Sequence, residues 1–419
     1  IIEKHMRYLP GISGRLFQAL GQNGINVVAI AQGSSELNIS VVINRADESK
    51  ALNALHEAFF LSDTSVVNVF MVGVGLIGST LLKQIKAHAE FLKKEHSLEI
   101  KVVGLANSKK LIFNENGIDL DNWRDQLSTS DTPMKIKDFV EKMKSMNLSS
   151  SIFVDNTANE QIAQHYDEIL DASISISTPN KVAASSGYEL YLKLKKTAKK
   201  RGILFLYETN VGAGLPVIST LNDLIVSGDR ILKIEAVLSG SLSFIFNSFK
   251  PGISFSSIVL EAQKRGFTEP DPRVDLNGID VRRKLIILAR ETGLPLEAED
   301  VVIHPVLPDA CRNAPNVEAF FAELKQADDH FSQLAEAAAK EGKVLRMVAS
   351  LENGIASIGL QSVDATHPFY QLSGSDNMIV FTSERYKERP LVVRGPGAGA
   401  EVTAAGIFSE IIKIGNYLN

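Results

Sequence analysis

The sequence predicts an α/β fold that combines one mainly parallel sheet with one mainly antiparallel sheet, and three observations support this prediction. Residues 66–72 form a continuous apolar run of the kind found in strands buried within a parallel sheet. A glycine-rich segment at residues 73–78 follows directly and leads into a helical pattern. Beyond about residue 222, strands are joined by short turns such as 352–354, which is typical of an antiparallel sheet with helices on one face.

The composition is that of a globular protein with more than one domain. A chain of 419 residues is expected to form two or three domains, and 45% hydrophobic with 22% charged residues is ordinary for such a protein. A net charge of -5 gives no reason to expect a nucleic acid or an anionic membrane as a partner. No apolar run reaches the length of about 18 residues that a membrane span needs.

The single cysteine, Cys311, excludes an intrachain disulfide framework and a cysteine metal cluster. It is interpreted as a free buried thiol in a reducing compartment, so a cytoplasmic location is expected. Because the sequence begins with Ile1 and not with methionine, a fragment of a longer protein is expected.

Residues 1–62 are predicted to form a small α+β unit. Two adjacent strands flanked by helices match the middle of a βαββαβ ligand-binding module, and residues 26–35 resemble the regulatory ACT domains of aspartate kinases. An unrelated α+β unit is the alternative. The predicted elements are a helix at 14–21, strands at 25–31 and 37–43, and a helix at 47–60.

The glycine-rich segment has the G-x-G-x-x-G spacing between a strand and a helix that a Rossmann-type, dinucleotide-binding sheet requires. Gly73 permits a tight turn, Gly75 lets the backbone approach a pyrophosphate, and Gly78 allows close helix packing. The phosphates are expected at the helix N-terminus, beside Leu76 and Ile77.

The next strand, at 100–106, ends in Asn107, Ser108, Lys109 and Lys110 instead of in an acid. An acid at this place would bind the ribose 2′-hydroxyl, whereas polar and basic residues accept a 2′-phosphate. NADP is therefore the favoured cofactor, and NAD is the alternative.

Further strand ends are predicted at the same carboxyl edge of the sheet. The strand at 151–154 precedes Thr157, and the strand at 174–177 precedes Lys181, the charged residue of most interest there. The strand at 203–207 leads to Glu208 and a glycine-containing bend, whose carbonyls could converge on a hard cation. A simple strand-to-helix turn is the other interpretation of this bend.

Residues 266–284 pack four carboxylates and two prolines into one loop that runs into a helical segment. If the helix begins near Asp280, then Asp280 and Lys284 are one turn apart on the same face. Such a pair is either a solvated ion pair or, near a bound cofactor, a proton donor with its partner.

The last strand, at 391–394, is followed by glycines and a terminal helix, which we expect to return to the nucleotide-binding domain. The predicted fold class is thus a Rossmann-type parallel-sheet domain plus an α+β substrate-binding domain, preceded by a partial ACT-like unit. A family resemblance, and not the strand pattern, adds dimerisation to the expected role of the α+β domain. The predicted boundaries are 1–62 for the ACT-like unit, 63–210 with 390–419 for the NAD(P)-binding domain, and 211–389 for the substrate domain.

Residues 63–419 resemble homoserine dehydrogenase, and the start of the chain is similar to that of the bifunctional aspartate kinase-homoserine dehydrogenase type. The matching motifs are residues 73–78, 178–181, 211–216, 238–243, 266–284, and 397–399 with 402–406. The resemblance implies NAD(P)-dependent interconversion of aspartate 4-semialdehyde and homoserine, in the biosynthesis of threonine and methionine. It also implies a homodimer or larger homo-oligomer, with an aspartate kinase domain in the intact chain.

The resemblance also implies roles for individual residues. Lys284 would donate a proton to the aldehyde oxygen, Asp280 would hold the substrate or its water, and Lys181 would act between cofactor and substrate. Glu269 and Asp275 would bind the amino-acid end of the substrate. The remaining implied residues are Thr157, Gly397 and Gly399 for the cofactor, and Glu208 with the carbonyls of Val211, Ala213 and Leu215 for a sodium ion.

The sequence departs from the family pattern at one position in the acidic loop. Val274 stands where members often have a further aspartate. Feedback inhibition by threonine is not assumed, because the regulatory region is incomplete. Two other functions are considered: a regulatory ligand-binding module with an inactive catalytic half, and a dehydrogenase acting on a larger semialdehyde.

Overall fold

The computed structural model describes residues 11–32, 38–59 and 64–418. The chain divides into two compact units. The first comprises Ile1–Ala183, Glu189–Tyr207 and Ile407–Asn419, and the second comprises Ala184–Tyr188 and Glu208–Gly406. The predicted boundary at 62/63 and part of the ACT-like phrase, residues 33–35, lie outside the described residues.

The N-terminal part of the first unit has the predicted order of helix, strand, strand and helix. Its elements are α1 (Ile12–Gln22), β1 (Val27–Gln32), β2 (Ile39–Ile43) and α2 (Glu48–Phe59). The two strands pair antiparallel. Apolar side chains spaced three or four residues apart on α1 pack against β2 and α2, and the buried cluster consists of Leu16, Leu20, Ile25, Ile39 and Ala51.

The main sheet of the first unit has six strands in the order β5-β4-β3-β6-β7-β8. The strands are β3 (Ser65–Val72), β4 (Leu98–Ala106), β5 (Leu111–Phe113), β6 (Ser151–Asp155), β7 (Ser175–Ser177) and β8 (Phe205–Leu206). All pairs are parallel except β4 with β5. The predicted parallel sheet is confirmed, and β5 was not predicted because three residues carry too little periodicity.

Helices connect these strands. They are α3 (Leu76–Glu95), α4 (Trp123–Thr129), α5 (Ile136–Met146), α6 (Glu160–Ala163), α7 (Tyr166–Asp171), α8 (Val182–Ser185) and α9 (Tyr188–Arg201). Each parallel connection therefore contains helix, as a crossover between parallel strands requires.

The sheet of the second unit has the order β10-β12-β11-β9-β13-β14. Its strands are β9 (Ile231–Val237), β10 (Val301–Ile303), β11 (Val344–Glu352), β12 (Ile355–Val363), β13 (Asp376–Ser383) and β14 (Leu391–Pro396). All pairs are antiparallel except β10 with β12. The predicted hairpin turn between β11 and β12 is present, with Asn353 at φ 52° and Gly354 at φ 79°.

Nine further helices follow within the described residues. They are α10 (Ile218–Val226), α11 (Gly240–Ser248), α12 (Phe255–Lys264), α13 (Arg273–Leu276), α14 (Ile279–Glu291), α15 (Asp309–Arg312), α16 (Val317–Gln326), α17 (Asp328–Lys340) and α18 (Ala400–Leu418). No helix of the described residues combines the length and the apolar character that crossing a bilayer demands.

The C-terminal segment differs from the predicted boundaries. Strand β14 pairs along its whole length with β13, so residues 391–396 belong to the second sheet and not to the nucleotide-binding domain. Only the part of α18 from Ile407 onward belongs to the first unit. There, Gly415 faces Val67 and Leu98, where an added Cβ would lie 3.0 Å and 3.1 Å from their side-chain atoms. The return to the first unit is thus made by a helix alone.

A buried arginine, Arg346 on β11, ties the second sheet to the 3-10 turn Pro368–Gln371. Its guanidinium donates to the carbonyls of Phe369, Tyr370 and Leu372 at 3.0 to 3.2 Å. In the described part of the chain it has no carboxylate partner, and burial lowers the pKa of Arg346 to about 10. The guanidinium also donates to the carbonyls of Leu345 at 2.8 Å and Phe246 at 3.3 Å. The side chain is still protonated at neutral pH, so backbone carbonyls compensate its charge.

We expect the substitution Arg346→Met to lower the free energy of unfolding by about 3 kcal/mol, because buried carbonyls would lose their donors. Denaturant unfolding followed by circular dichroism measures this change. The matched control is Arg230→Met, since the exposed pair of Arg230 with Glu384 is worth little. Equal stability of the two variants would contradict this account of the turn.

Candidate functional site

The glycine-rich turn of the first unit is shaped for close backbone approach. Gly73 has φ 90°, and a Cβ at this position would lie 2.8 Å from Thr157 Cγ2. A Cβ at Gly78 would lie 2.0 Å from the carbonyl oxygen of Gly73. Gly75 precedes α3 with no side-chain cap, and the space where its Cβ would stand is open. The exposed N-terminus of α3 is therefore suited to an anion such as a pyrophosphate.

A cavity of about 760 Å³ adjoins this turn, entirely within the first unit. Five predicted cofactor residues line it: Gly73, Gly75, Asn107, Ser108 and Thr157. Other lining residues were not predicted from the sequence, and they include Trp123, Arg124, Leu127, Ser128, Met134 and Ile136. Leu76, Ile77 and Gly78 form the first turn of α3, and Lys109 is exposed and is not part of the lining.

The end of β4 is folded back by Asn107. Its Oδ1 accepts hydrogen bonds from the backbone N–H groups of Lys109 and Lys110, both at 2.8 Å. The Lys110 ammonium donates to the carbonyl of Ser128 at 2.5 Å. Asn107 and Lys110 thus have structural roles in this turn.

A buried hydrogen-bond network joins the carboxyl ends of β6 and β7. The fully buried Asp155 accepts from Tyr166 Oη at 2.7 Å, Asn180 Nδ2 at 2.9 Å and the backbone N–H of Thr157 at 2.8 Å. The Thr178 hydroxyl donates to the Asp155 carbonyl and accepts from the Asn180 backbone N–H. Burial, together with the Asp155 charge, raises the pKa of Tyr166 well above its usual value. The network fixes the two segments that carry Thr157 and Lys181.

In the second unit, Lys284 and Asp280 form the predicted pair within α14. Lys284 Nζ lies 2.8 Å from Asp280 Oδ2 and donates to the carbonyl of Leu238 at 2.7 Å. Lys284 is 8% exposed, whereas the Asp280 side chain is 51% exposed. Gly278, at φ 74°, is the N-cap of this helix, which begins at Ile279, next to the predicted start near Asp280. The ammonium is therefore held at a defined point against the end of β9.

The acidic loop before this helix is held together by its own carboxylates. Asp275 accepts from the Ser241 hydroxyl at 2.7 Å and from the backbone N–H of Glu269 at 2.8 Å. The Arg273 guanidinium binds Asp271 and lowers the pKa of that carboxyl. Both Asp275 oxygens have protein donors, so Asp275 also positions the exposed Glu269. Val274, the departure from the family pattern, is 53% exposed.

Glu208 caps α10. Its Oε1 and Oε2 accept from the backbone N–H groups of Ile218 at 2.6 Å and Ser219 at 2.9 Å. The backbone between them is bent by Gly212 at φ 80° and Ala213 at φ 54°. The strand-to-helix turn is thus present, and the Glu208 carboxylate fixes its end. Among the described residues, no cluster of three or more His, Cys, Asp and Glu side chains is suited to a metal ion.

The glycines after β14 also allow close packing. A Cβ at Gly397 would lie 2.0 Å from the side chain of Asn377, and Gly399 has φ 122°. The amide of Asn377 is fully buried and has no hydrogen-bond partner among the residues that the structure describes. At position 397 only glycine leaves room for the Asn377 side chain, and at position 399 the backbone angle favours glycine.

Profiles of known families match nearly the whole chain. The homoserine dehydrogenase profile matches residues 216–412, that of the homoserine dehydrogenase NAD binding domain matches residues 73–208, and an ACT domain profile matches residues 1–59.

Similar proteins cover the chain to different extents. The chain is 45% identical over 420 residues to the chloroplastic bifunctional aspartokinase/homoserine dehydrogenase 2 of Arabidopsis thaliana, covering 100% of this chain and 46% of that protein. It is 43% identical over 358 residues to homoserine dehydrogenase of Schizosaccharomyces pombe, covering 83% of this chain and 95% of that protein. The chain thus spans about half the length of the plant protein and nearly all of the yeast one.

Solved structures share the fold. A Candida auris protein of unknown function is 35% identical with a TM-score of 0.78, covering 84% of this chain and 99% of that one. A hyperthermophilic archaeal homoserine dehydrogenase in complex with NADPH has a TM-score of 0.64 at 23% identity, covering 83% of this chain and 97% of that one.

We expect Tyr166→Phe to lower the free energy of unfolding by about 1 to 2 kcal/mol, because it removes a hydrogen bond to a buried carboxylate. Nucleotide affinity should fall as well, since Thr157 loses its fixed position. Denaturant unfolding and nucleotide titration measure the two effects. Tyr417→Phe is the control in the same unit because Tyr417 is exposed. Wild-type stability of Tyr166→Phe would refute the role given to the network.

Proposed function

Because this chain belongs to the homoserine dehydrogenase family, we propose that it catalyses the NAD(P)-dependent interconversion of L-aspartate 4-semialdehyde and L-homoserine. The observation that carries the proposal is Lys284, a buried ammonium anchored between Asp280 and the Leu238 carbonyl. A dinucleotide-binding turn is present in the same chain. The 95% coverage of the yeast enzyme supports the presence of both parts that the reaction needs.

The first unit fits a nicotinamide dinucleotide. The open N-terminus of α3 suits the pyrophosphate, and the amide of Asn156, beside Gly78, is buried without a hydrogen-bond partner. The described lining of the cavity contains no acid to bind a ribose 2′-hydroxyl, which favours NADP over NAD. The cofactor supplies the hydride that reduces the aldehyde. Thr157, Lys181, Gly397 and Gly399 are proposed to contact it.

Lys284 is proposed to donate the proton that neutralises the alkoxide oxygen. The Leu238 carbonyl fixes the direction of Nζ, and Asp280 favours the protonated form of the amine. Asp280 is further proposed to hold the substrate or a water molecule. Glu269 and Asp275 are proposed to bind the charged amino-acid end of the substrate, within a loop that Ser241 braces.

A sodium ion is proposed at the loop that Glu208 begins. The consecutive left-handed residues Gly212 and Ala213 turn the backbone sharply, so the carbonyls of Val211, Ala213 and Leu215 are candidates to converge with Glu208 on a hard cation. Two backbone donors already orient the carboxylate, which reduces the conformational freedom lost on binding.

The intact protein is proposed to carry an aspartate kinase domain, as the bifunctional relatives do. A homodimer or larger homo-oligomer and a cytoplasmic location are also proposed, the latter because the chain has a single cysteine.

Homoserine-dependent reduction of NADP tests the function. We expect Lys284→Met to lower kcat by about 10²- to 10⁴-fold, the usual contribution of a positioned acid. Methionine preserves the buried volume, and circular dichroism checks the fold. Arg283→Ala, on the exposed neighbour, should keep its activity. A folded Lys284→Met protein with full turnover would remove Lys284 from the mechanism, and activity confined to a larger semialdehyde would favour a different dehydrogenase.

If sodium binds at this loop, the stability of the protein should differ between two salts at equal ionic strength. Sodium chloride should stabilise the protein relative to tetramethylammonium chloride by about 1.4 kcal/mol at roughly ten times the dissociation constant. Glu208→Gln should abolish this difference, whatever it does to the capping of α10. Thermal unfolding in the two salts measures the effect, and a wild-type protein indifferent to the cation would show that no sodium binds.

A further inference from the structure

The described lining of the cavity in the first unit carries one charged side chain. Of the described residues that line the cavity, Arg124 alone is charged. Sequence reasoning had placed the selective cations at Lys109 and Lys110, directly after β4. The structure gives these lysines other positions, because Lys109 is exposed away from the lining and Lys110 donates to Ser128.

We propose that Arg124 is the residue that recognises the 2′-phosphate of NADP and so sets the cofactor preference. The inference rests on the proposed function for the identity of the ligand. The sequence prediction assigned this role to Lys109 and Lys110 after β4, whereas Arg124 lies on α4.

The guanidinium of Arg124 is oriented by an aromatic side chain. Its Cζ lies 4.5 Å from the ring centroid of Trp123, which is 6% exposed. Arginine stacked in this way keeps its N–H groups at the edge of the guanidinium plane, where they can donate to phosphate oxygens in pairs. Within the described residues, Arg124 forms no ion pair with a carboxylate, so no acid competes with a phosphate for these donors.

The other side chains around Arg124 complete a subsite for a phosphorylated adenosine. Ser108, at the end of β4, lines the same cavity and brings a hydroxyl donor. Apolar side chains of Leu127, Met134 and Ile136 offer a surface for the adenine ring. A dianionic 2′-phosphate therefore meets a cation and a neutral donor, whereas the 2′-hydroxyl of NAD meets no carboxylate acceptor.

Binding of adenosine fragments tests the proposal without turnover. The titrants are 2′,5′-ADP and 5′-AMP, which differ by the 2′-phosphate. Trp123 is the only tryptophan of the chain, so its fluorescence reports on this cavity directly, and calorimetry gives an independent dissociation constant. The wild-type protein should bind 2′,5′-ADP more tightly than 5′-AMP.

Arg124→Ala should weaken the binding of 2′,5′-ADP by about 10- to 100-fold and leave that of 5′-AMP unchanged, because the lost hydrogen bonds are charge-assisted. Arg124→Lys should retain part of the preference, because it keeps the charge and loses the paired geometry. The matched control is Lys109→Ala, which should bind both fragments as the wild-type protein does. In turnover, Arg124→Ala should raise KM for NADPH and not for NADH.

Three outcomes would overturn the proposal. Unchanged binding of 2′,5′-ADP by Arg124→Ala is one, and loss of the preference in Lys109→Ala is another, because it would return the role to the strand end. An equal loss for both fragments would show that Arg124 contacts only the adenine. If the preference depends on Arg124 but homoserine does not reduce NADP, the proposed function fails and the nucleotide subsite stands.

Discussion

The buried carboxylate of Asp155 is the constraint on which the nucleotide-binding edge of the first unit depends. An ionised carboxylate inside a protein costs several kcal/mol unless donors surround it. Here the donors come from Tyr166, Asn180 and the backbone of Thr157, which belong to separate segments of the chain. If any of these segments moved, the buried carboxylate would lose one of its hydrogen-bond donors. The strand ends therefore hold their loops in one arrangement before any ligand binds.

The second unit uses the same principle with different residues. Asp275 accepts from Ser241 and Glu269, and Glu208 accepts from two backbone N–H groups at α10, so both carboxylates organise a loop or a helix end. Glu269 and Asp280 are the more exposed acids of the region. The acids of this region thus separate into carboxylates that hold the backbone and carboxylates that remain exposed.

The features predicted correctly from the sequence are local in the chain. The strand, glycine turn and helix at 65–95 follow each other directly, and the pair of Asp280 and Lys284 depends only on helical spacing. Arg124 was missed because a hairpin and a loop separate it from the end of β4. Tyr166 was missed because nothing in the local pattern marks its hydroxyl as a partner of Asp155. The placement of β14 was wrong because strand pairing is non-local, and a short alternating segment fits either sheet.

The Leu238 carbonyl and the Asp280 carboxylate act differently on the Lys284 ammonium. The Leu238 carbonyl is neutral, so it directs Nζ without adding a charge that would strongly resist proton loss. Asp280 does favour the charged form, but its side chain is half exposed, and solvent weakens the attraction. A fully buried carboxylate would hold the ammonium proton more firmly, so the half-exposed Asp280 suits the proposed role of Lys284 as a proton donor. In the proposed mechanism, the solvent-exposed carboxylate of Asp280 would also help the amine to regain its proton from water.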